Sequence, residues 1–183
     1  GCTSTKVAVY EDENPVWTSD GLHDPAEIDK FSTINEQYEY RKDFVLNLLK
    51  EAGIPLKFDA VIGRGGLLKP LQGGVYAINE LMKKDLWNAK HQHVCNLGSL
   101  IADEIAHERH CPAFMADPVV VDEMMTRARY TGLPFMKRES IFHALNAKAA
   151  SRRYARSIGK SYEELNLVVA HLGGGICVSA HHN

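Results

Sequence analysis

Near its C-terminal end the chain reads VVAHLGGGICVSA over residues 168–180: two short apolar runs, joined by three consecutive glycines with His171 just ahead of them. Glycine has no Cβ, so this joint permits a tight reversal and lets the main chain come close to a bound group. Backbone N–H groups in such a turn point inward and can hold phosphate oxygens. The pattern predicts a hairpin of residues 167–170 against 176–180, with a bend suited to an anion.

Two further turns have a related make-up. Residues 1–6 (GCTSTK) offer the hydroxyls of Thr3, Ser4 and Thr5 and the ammonium of Lys6. Residues 63–66 (GRGG) follow the apolar run 58–62. In an open α/β sheet, ligands collect at such loops. A plain structural turn explains any one of them alone; three in one chain point toward phosphate.

The intervening pattern alternates strand and helix. Residues 7–10 and 16–18 read as strands reversed at Asn14-Pro15. Phe31, Ile34, Tyr38, Val45, Leu48, Leu49 and Ala52 fall on one helical face, and Gly53 and Pro55 end it. Helices are expected at 75–84, 97–110 and 140–158, the last stopped by Gly159, and a strand at 112–115. Asp122 is placed to cap a short helix reaching Tyr130. This alternation predicts an α/β chain whose parallel strands are buried on both faces. The interruption at Gly132 and Pro134 places a domain boundary near 118–135.

Composition narrows the function classes. Of 183 residues, 45% are apolar and 24% charged, with a net charge of −2. This is a soluble globular balance, without the basic surplus of a nucleic-acid binder. No run approaches the roughly 20 apolar residues that cross a bilayer, and no secretory leader pattern is seen. Cys2, Cys95, Cys111 and Cys177 form no C-x-x-C pair, which fits reduced thiols in a cytoplasmic protein. The chain starts at a turn-like segment without methionine, as expected of a piece of a longer protein.

Candidate chemistry rests on few side chains. Arg64, between glycines at a strand end, presents a donor fork that matches a carboxylate or phosphate. Asp117 ends an apolar strand before Pro118; it reads as a turn aspartate or as a Mg²⁺ ligand. His143 lies in an apolar helix start with Asn146 three residues on, and reads as a packed histidine or a functional one. His91, His93 and Cys95 would share a face of a strand, with His107, His110 and Cys111 nearby. Their spacings match no zinc ribbon or finger.

Five runs in order, 1–10, 58–74 (FDAVIGRGGLLKPLQGG), 112–125 (PAFMADPVVVDEMM), 138–153 (RESIFHALNAKAASRR) and 168–183, resemble the butyrate kinases, short-chain fatty-acid kinases related to acetate kinase. Branched-chain fatty-acid kinases share these motifs. The resemblance implies a ribonuclease-H-like (actin-like ATPase) α/β fold. Residues 1–122 would form a nearly complete N-terminal domain lacking its first strand, and 123–183 the beginning of a second, nucleotide-binding domain. The implied reaction is ATP plus butanoate giving ADP plus butanoyl phosphate, with ATP and Mg²⁺ as cofactors. No nucleic-acid or membrane partner is implied; a cytoplasmic location and homo-oligomeric assembly are.

Carried over by resemblance, Thr3, Ser4 and Lys6 would contact phosphate, and Arg64 would orient the carboxylate. Asp117 would serve the Mg²⁺–phosphate site, and His143 would stabilise the transferring phosphoryl group. His171 with Gly173, Gly174 and Gly175 would form the second phosphate loop. The family opens with a strand ending in Asn-Pro before the position of Gly1, and usually has serine where Cys2 stands. It also continues well past Asn183. The expectation is an active parent kinase and an inactive 183-residue piece. The rivals are a branched-chain (2-methylpropanoate) kinase and a non-catalytic nucleotide-binding module.

Overall fold

The computed structural model describes residues 3–173 and 175–182. Its strands are β1 (Ser4–Glu11), β2 (Asn14–Leu22), β3 (Val61–Arg64), β4 (Val75–Ala77), β5 (Ala113–Ala116), β6 (Leu167–Leu172) and β7 (Ile176–His181). Its helices are α1 (Pro25–Ile28), α2 (Tyr38–Glu51), α3 (Glu80–Trp87), α4 (Cys95–Glu108) and α5 (Ala144–Ser157). The chain divides into two compact units. Gly1–Leu67 with Tyr76–Met115 form the first, and Leu68–Val75 with Ala116–Asn183 the second. No helix among the described residues is long and apolar enough to cross a membrane.

In the first unit β1 and β2 form an antiparallel hairpin, pairing Ser4 with Leu22, Lys6 with Asp20 and Val9 with Trp17. The strand thus begins at Ser4 rather than Val7, and Ser4 to Lys6 are ladder residues, not a turn. The cause is alternation: Thr5, Val7 and Val9 turn the same way and are partly buried, while Lys6, Ala8 and Tyr10 are exposed. The reversal falls at Asp12-Glu13 instead of Asn14-Pro15, with Asp12 in the left-handed region at φ 53°. Aspartate tolerates that region better than most residues.

A polar knot links this hairpin to α2. His23 Nε2 lies 2.8 Å from Thr5 Oγ1, and the buried Arg41 donates to the same ring nitrogen at 3.0 Å and to Gln37 Oε1 at 3.0 Å. Burial, then the charge of Arg41, hold the His23 pKa below the ordinary imidazole value. The single helix expected over residues 31–52 starts late: residues 31–34 are not helical, a 3₁₀ turn covers Asn35–Gln37, and α2 takes the rest. Its predicted stop is present: Gly53 has φ 66°, and the N–H groups of Gly53 and Ile54 donate to Lys50 and Leu49 carbonyls.

The strand order β3-β5-β4 makes a three-stranded sheet. Helix α4 packs on β3 through main chain. A Cβ on Gly63 would lie 2.6 Å from the Gly98 carbonyl oxygen, and one on Gly98 would lie 2.7 Å from that of Arg64. Ile62, on β3, is 65% exposed. The expectation of strands buried on both faces therefore fails there. The helix expected at 75–84 is instead β4 followed by α3. Asn79 takes an extended conformation and caps α3, accepting the Met82 N–H at 2.9 Å, so helical structure begins only after it.

In the second unit β6 and β7 pair antiparallel, Leu167 with His181 through Leu172 with Ile176. Helix α5 packs on β6. Its buried residues are Ala144, Ala147, Lys148, Ser151 and Ala155, small side chains with one lysine among them. The outer face of the hairpin leaves Val168, Leu172, Ile176 and Val178 exposed. The helix expected from Asp122 shrinks to a 3₁₀ turn at Thr126–Arg129, because the Asp122 carboxylate accepts both arms of the Arg129 guanidinium at 2.7 and 2.9 Å.

Gly63→Ala and Gly98→Ala each place a methyl group against backbone that cannot swing away. Alanine at 98 adds about 1 kcal/mol of helix propensity, yet overpacking costs about 1–3 kcal/mol. Both variants are expected to lower the urea unfolding midpoint, and the Gly63 variant, with no propensity gain, by more.

Candidate active site

Asp117 follows β5 with φ 34°, and its side chain is buried. It exchanges two hydrogen bonds with Gly74: its own N–H donates to the Gly74 carbonyl at 2.9 Å, and the Gly74 N–H donates to Asp117 Oδ1 at 2.8 Å. Arg152, on α5, brings Nη1 to 3.6 Å from Asp117 Oδ2. One carboxylate oxygen is thus fixed by the backbone, and the other lies near a guanidinium.

The turn that holds Asp117 is itself anchored. The Gly73 N–H donates to Glu123 Oε1 at 2.9 Å, and the buried Lys148 ammonium lies 2.7 Å from Glu123 Oε2. A Cβ on Gly73 would strike Lys148 Nζ and come within 2.8 Å of Glu123 Oε1. Only glycine leaves room for a lysine to approach this closely. Burial pushes the Glu123 carboxyl up, but the Lys148 ammonium and the Gly73 N–H outweigh it, and its pKa lies below the ordinary value.

The helix expected from residue 140 begins only at Ala144, so His143, expected inside it, stands instead at the N-cap of α5. Its ring stacks on that of His171, with centroids 3.8 Å apart and planes 10° from parallel. Cys177 Sγ lies 3.3 Å from His143 Nδ1. Asn146 Nδ2 lies 2.9 Å from His171 Nδ1. A Cβ on Gly175 would sit 3.2 Å from His143 Cε1, and one on Gly173 3.5 Å from His171 Nε2. Residues expected to work together from the sequence therefore meet at the β6–β7 bend. Gly174, also expected there, lies outside the described residues.

The remaining predicted residues belong to the first unit. Lys6 pairs with Asp20 at 2.9 Å on the surface, and Thr3 precedes β1. Arg64 ends β3 with its side chain exposed. Gly63 and Arg64 are strand residues rather than loop. Gly66 is packed against Asn96, whose Oδ1 accepts the Leu67 N–H at 2.9 Å. His91, His93 and Cys95 lie on no strand, and Cys95 opens α4. Among the described residues no group of three or more His, Cys, Asp or Glu could hold a metal by itself.

Sequence reasoning missed Arg152, Glu123 and Lys148. Lys148 carried a readable signal. It occupies a core position of the α5 pattern, beside Ala147 and one turn from Ala144 and Ser151, where only small residues otherwise stand.

No family model matches this sequence. Individual proteins do. The chain is 66% identical over 181 residues to a protein of Phocaeicola vulgatus named "Probable butyrate kinase", covering 99% of this chain and 51% of that protein. It is 49% identical over 183 residues to butyrate kinase 1 of Clostridium acetobutylicum, covering 99% of this chain and 52% of that one. Along its whole length the chain is similar to proteins named butyrate kinases. It spans about half the length of these curated relatives. The crystal structure of Porphyromonas gingivalis acetate kinase matches with a TM-score of 0.63 at 18% identity, over 91% of this chain and 43% of that chain. Over the part that matches, the chain accordingly shares the α/β fold of that acetate kinase.

Lys148→Met tests the anchor of the Asp117 turn. A buried pair broken on one side is costly, but Glu123 is half exposed and water offsets much of the loss, so about 1–2 kcal/mol is expected at neutral pH. A depressed carboxyl pKa stabilises the fold above its ordinary value of 4.5, and the benefit is lost as pH falls through the lower folded value. The gap between wild type and variant in urea unfolding should therefore narrow below that pH. A constant gap would contradict the anchor.

Proposed function

We propose that this chain is the N-terminal part of a short-chain fatty-acid kinase that transfers the γ-phosphoryl group of ATP to butanoate. A carboxylate oxygen forms the new bond to phosphorus, the bond from phosphorus to the ADP oxygen breaks, and butanoyl phosphate and ADP leave. The observation that carries this reading is the stacked His143–His171 pair at the Gly173–Gly175 bend. It lies within runs that are similar to the butyrate kinases from one end of the chain to the other.

The chemistry suits such residues. Butanoate is already ionised at neutral pH, so no general base is needed. The difficulty is bringing two anions together, and catalysis is chiefly positioning and neutralisation. In this reading Arg64 orients the carboxylate, His143 neutralises the transferring group, and His171 with Gly173, Gly174 and Gly175 holds the terminal phosphates. Thr3, Ser4 and Lys6 supply further phosphate contacts.

Asp117 is the residue for Mg²⁺. A magnesium ion keeps its waters and takes one or two carboxylates plus substrate phosphates, so a single carboxylate, with one oxygen fixed by the Gly74 N–H, fits it. When bound, Mg²⁺ neutralises the phosphate oxygens of ATP.

The test is ADP release by the full-length protein with butanoate, 2-methylpropanoate and acetate. Butanoate is expected to give the highest kcat/KM, although one methyl group shifts selectivity by only about 10–200-fold. A preference for 2-methylpropanoate would assign a branched-chain kinase. ATP binding without turnover on any acid would make the protein a nucleotide-binding module. His143→Ala should lower kcat by about 10²–10³-fold; survival within a few fold would remove His143 from the reaction.

A further inference from the structure

Asn146 takes no part in the reading above, yet it touches the histidine stack directly. It lies on α5 three residues after His143, on the same side of the helix. Its amide nitrogen is 2.9 Å from His171 Nδ1. An amide NH₂ can only donate, so Nδ1 must accept, and a neutral imidazole that accepts at one nitrogen carries its proton on the other. With the Asn146 amide nitrogen turned to the ring, the tautomer that satisfies this contact carries its proton on Nε2. That nitrogen faces the glycine bend, where a Cβ on Gly173 would be 3.5 Å away.

We propose that Asn146 is a positioning residue, which holds His171 in the Nε2–H tautomer and, through the ring stack, sets the plane of His143. This rests on the kinase reading for its catalytic consequence but not for its structural content. The His171 ring can turn about its side-chain bonds, and the bond from Asn146 fixes one orientation of it. With that plane fixed, the parallel His143 ring is confined between His171, the Gly175 main chain and Cys177 Sγ at 3.3 Å from its Nδ1. Asn146 thus delivers one N–H toward the bend and keeps a second imidazole in register beside it, without meeting substrate.

The decisive variant is Asn146→Asp, which keeps the shape but replaces the donor with an acceptor. Histidine ring ¹⁵N NMR on the full-length protein, with the His171 signals assigned by their loss in His171→Gln, reads the tautomer directly. Expected in wild type is a His171 ring with Nδ1 unprotonated and Nε2 protonated, and in Asn146→Asp a ring protonated at Nδ1. Expected for kcat is a loss of about 10–100-fold, the usual scale for an orienting partner, in Asn146→Asp and Asn146→Ala. KM for ATP and butanoate should stay within threefold, and the urea midpoint should be unchanged. Protonated Nδ1 in wild type overturns the proposal, as does Asn146→Asp with kcat within twofold of wild type. If the protein transfers no phosphoryl group to any acid, the kinase reading fails, and the ¹⁵N spectra alone decide the role of Asn146.

Discussion

Helix α4 and strand β3 meet main chain to main chain, and that contact sets the spacing of the first unit. With Cβ positions on Gly63 and Gly98 falling 2.6 and 2.7 Å from opposing carbonyl oxygens, no other residue fits at either point. The close approach lets Ser99 Oγ reach the Arg64 carbonyl at 3.5 Å and sits beside the buried Leu97, Leu100 and Ile101 of the same helix. Arg64 is thereby carried at the end of a strand whose distance from its supporting helix is fixed to a few tenths of an ångström. An interior packed like a crystal has no slack to absorb a methyl group there.

The second unit applies the same economy of space to charge. Lys148 is buried on a helix face otherwise made of alanine and serine, and it reaches Glu123 because Gly73 presents no side chain. The chain of contacts then runs from Lys148 to Glu123, to the Gly73 N–H, and through the adjoining Gly74 N–H to Asp117. Asp117 is held in a left-handed backbone conformation by groups distant in sequence. Strain of this kind persists only where the surroundings over-determine it.

Local periodicity and glycine stops made α4, α5, β5 and the β6–β7 hairpin legible in the sequence, because each forms from its own pattern. Gly53 and Gly159 ended helices as expected, with φ of 66° and 69°. The readings that failed were those in which a distant partner decides. The hydroxyls and lysine of residues 4–6 looked like a turn until paired with Leu22, Gly21 and Asp20. The glycines at 63–66 read as a ligand loop, whereas Gly63 and Gly66 are needed to admit α4. The helical run at 31–52 had the right spacing, but residues 31–34 are not helical. At the histidine stack, the residue types were legible and the ring geometry was not, since no pattern along one strand says which imidazole will lie across from it.

The outer surface of the β6–β7 ribbon has a practical consequence. Val168, Leu172, Ile176 and Val178 are each more than 60% exposed on one face, while the opposite face is laid on α5. A greasy strip of this kind attracts its like, so the purified 183-residue polypeptide will behave as a colloid whose apparent mass rises with concentration. Light-scattering and dilution series belong ahead of any spectroscopy on it.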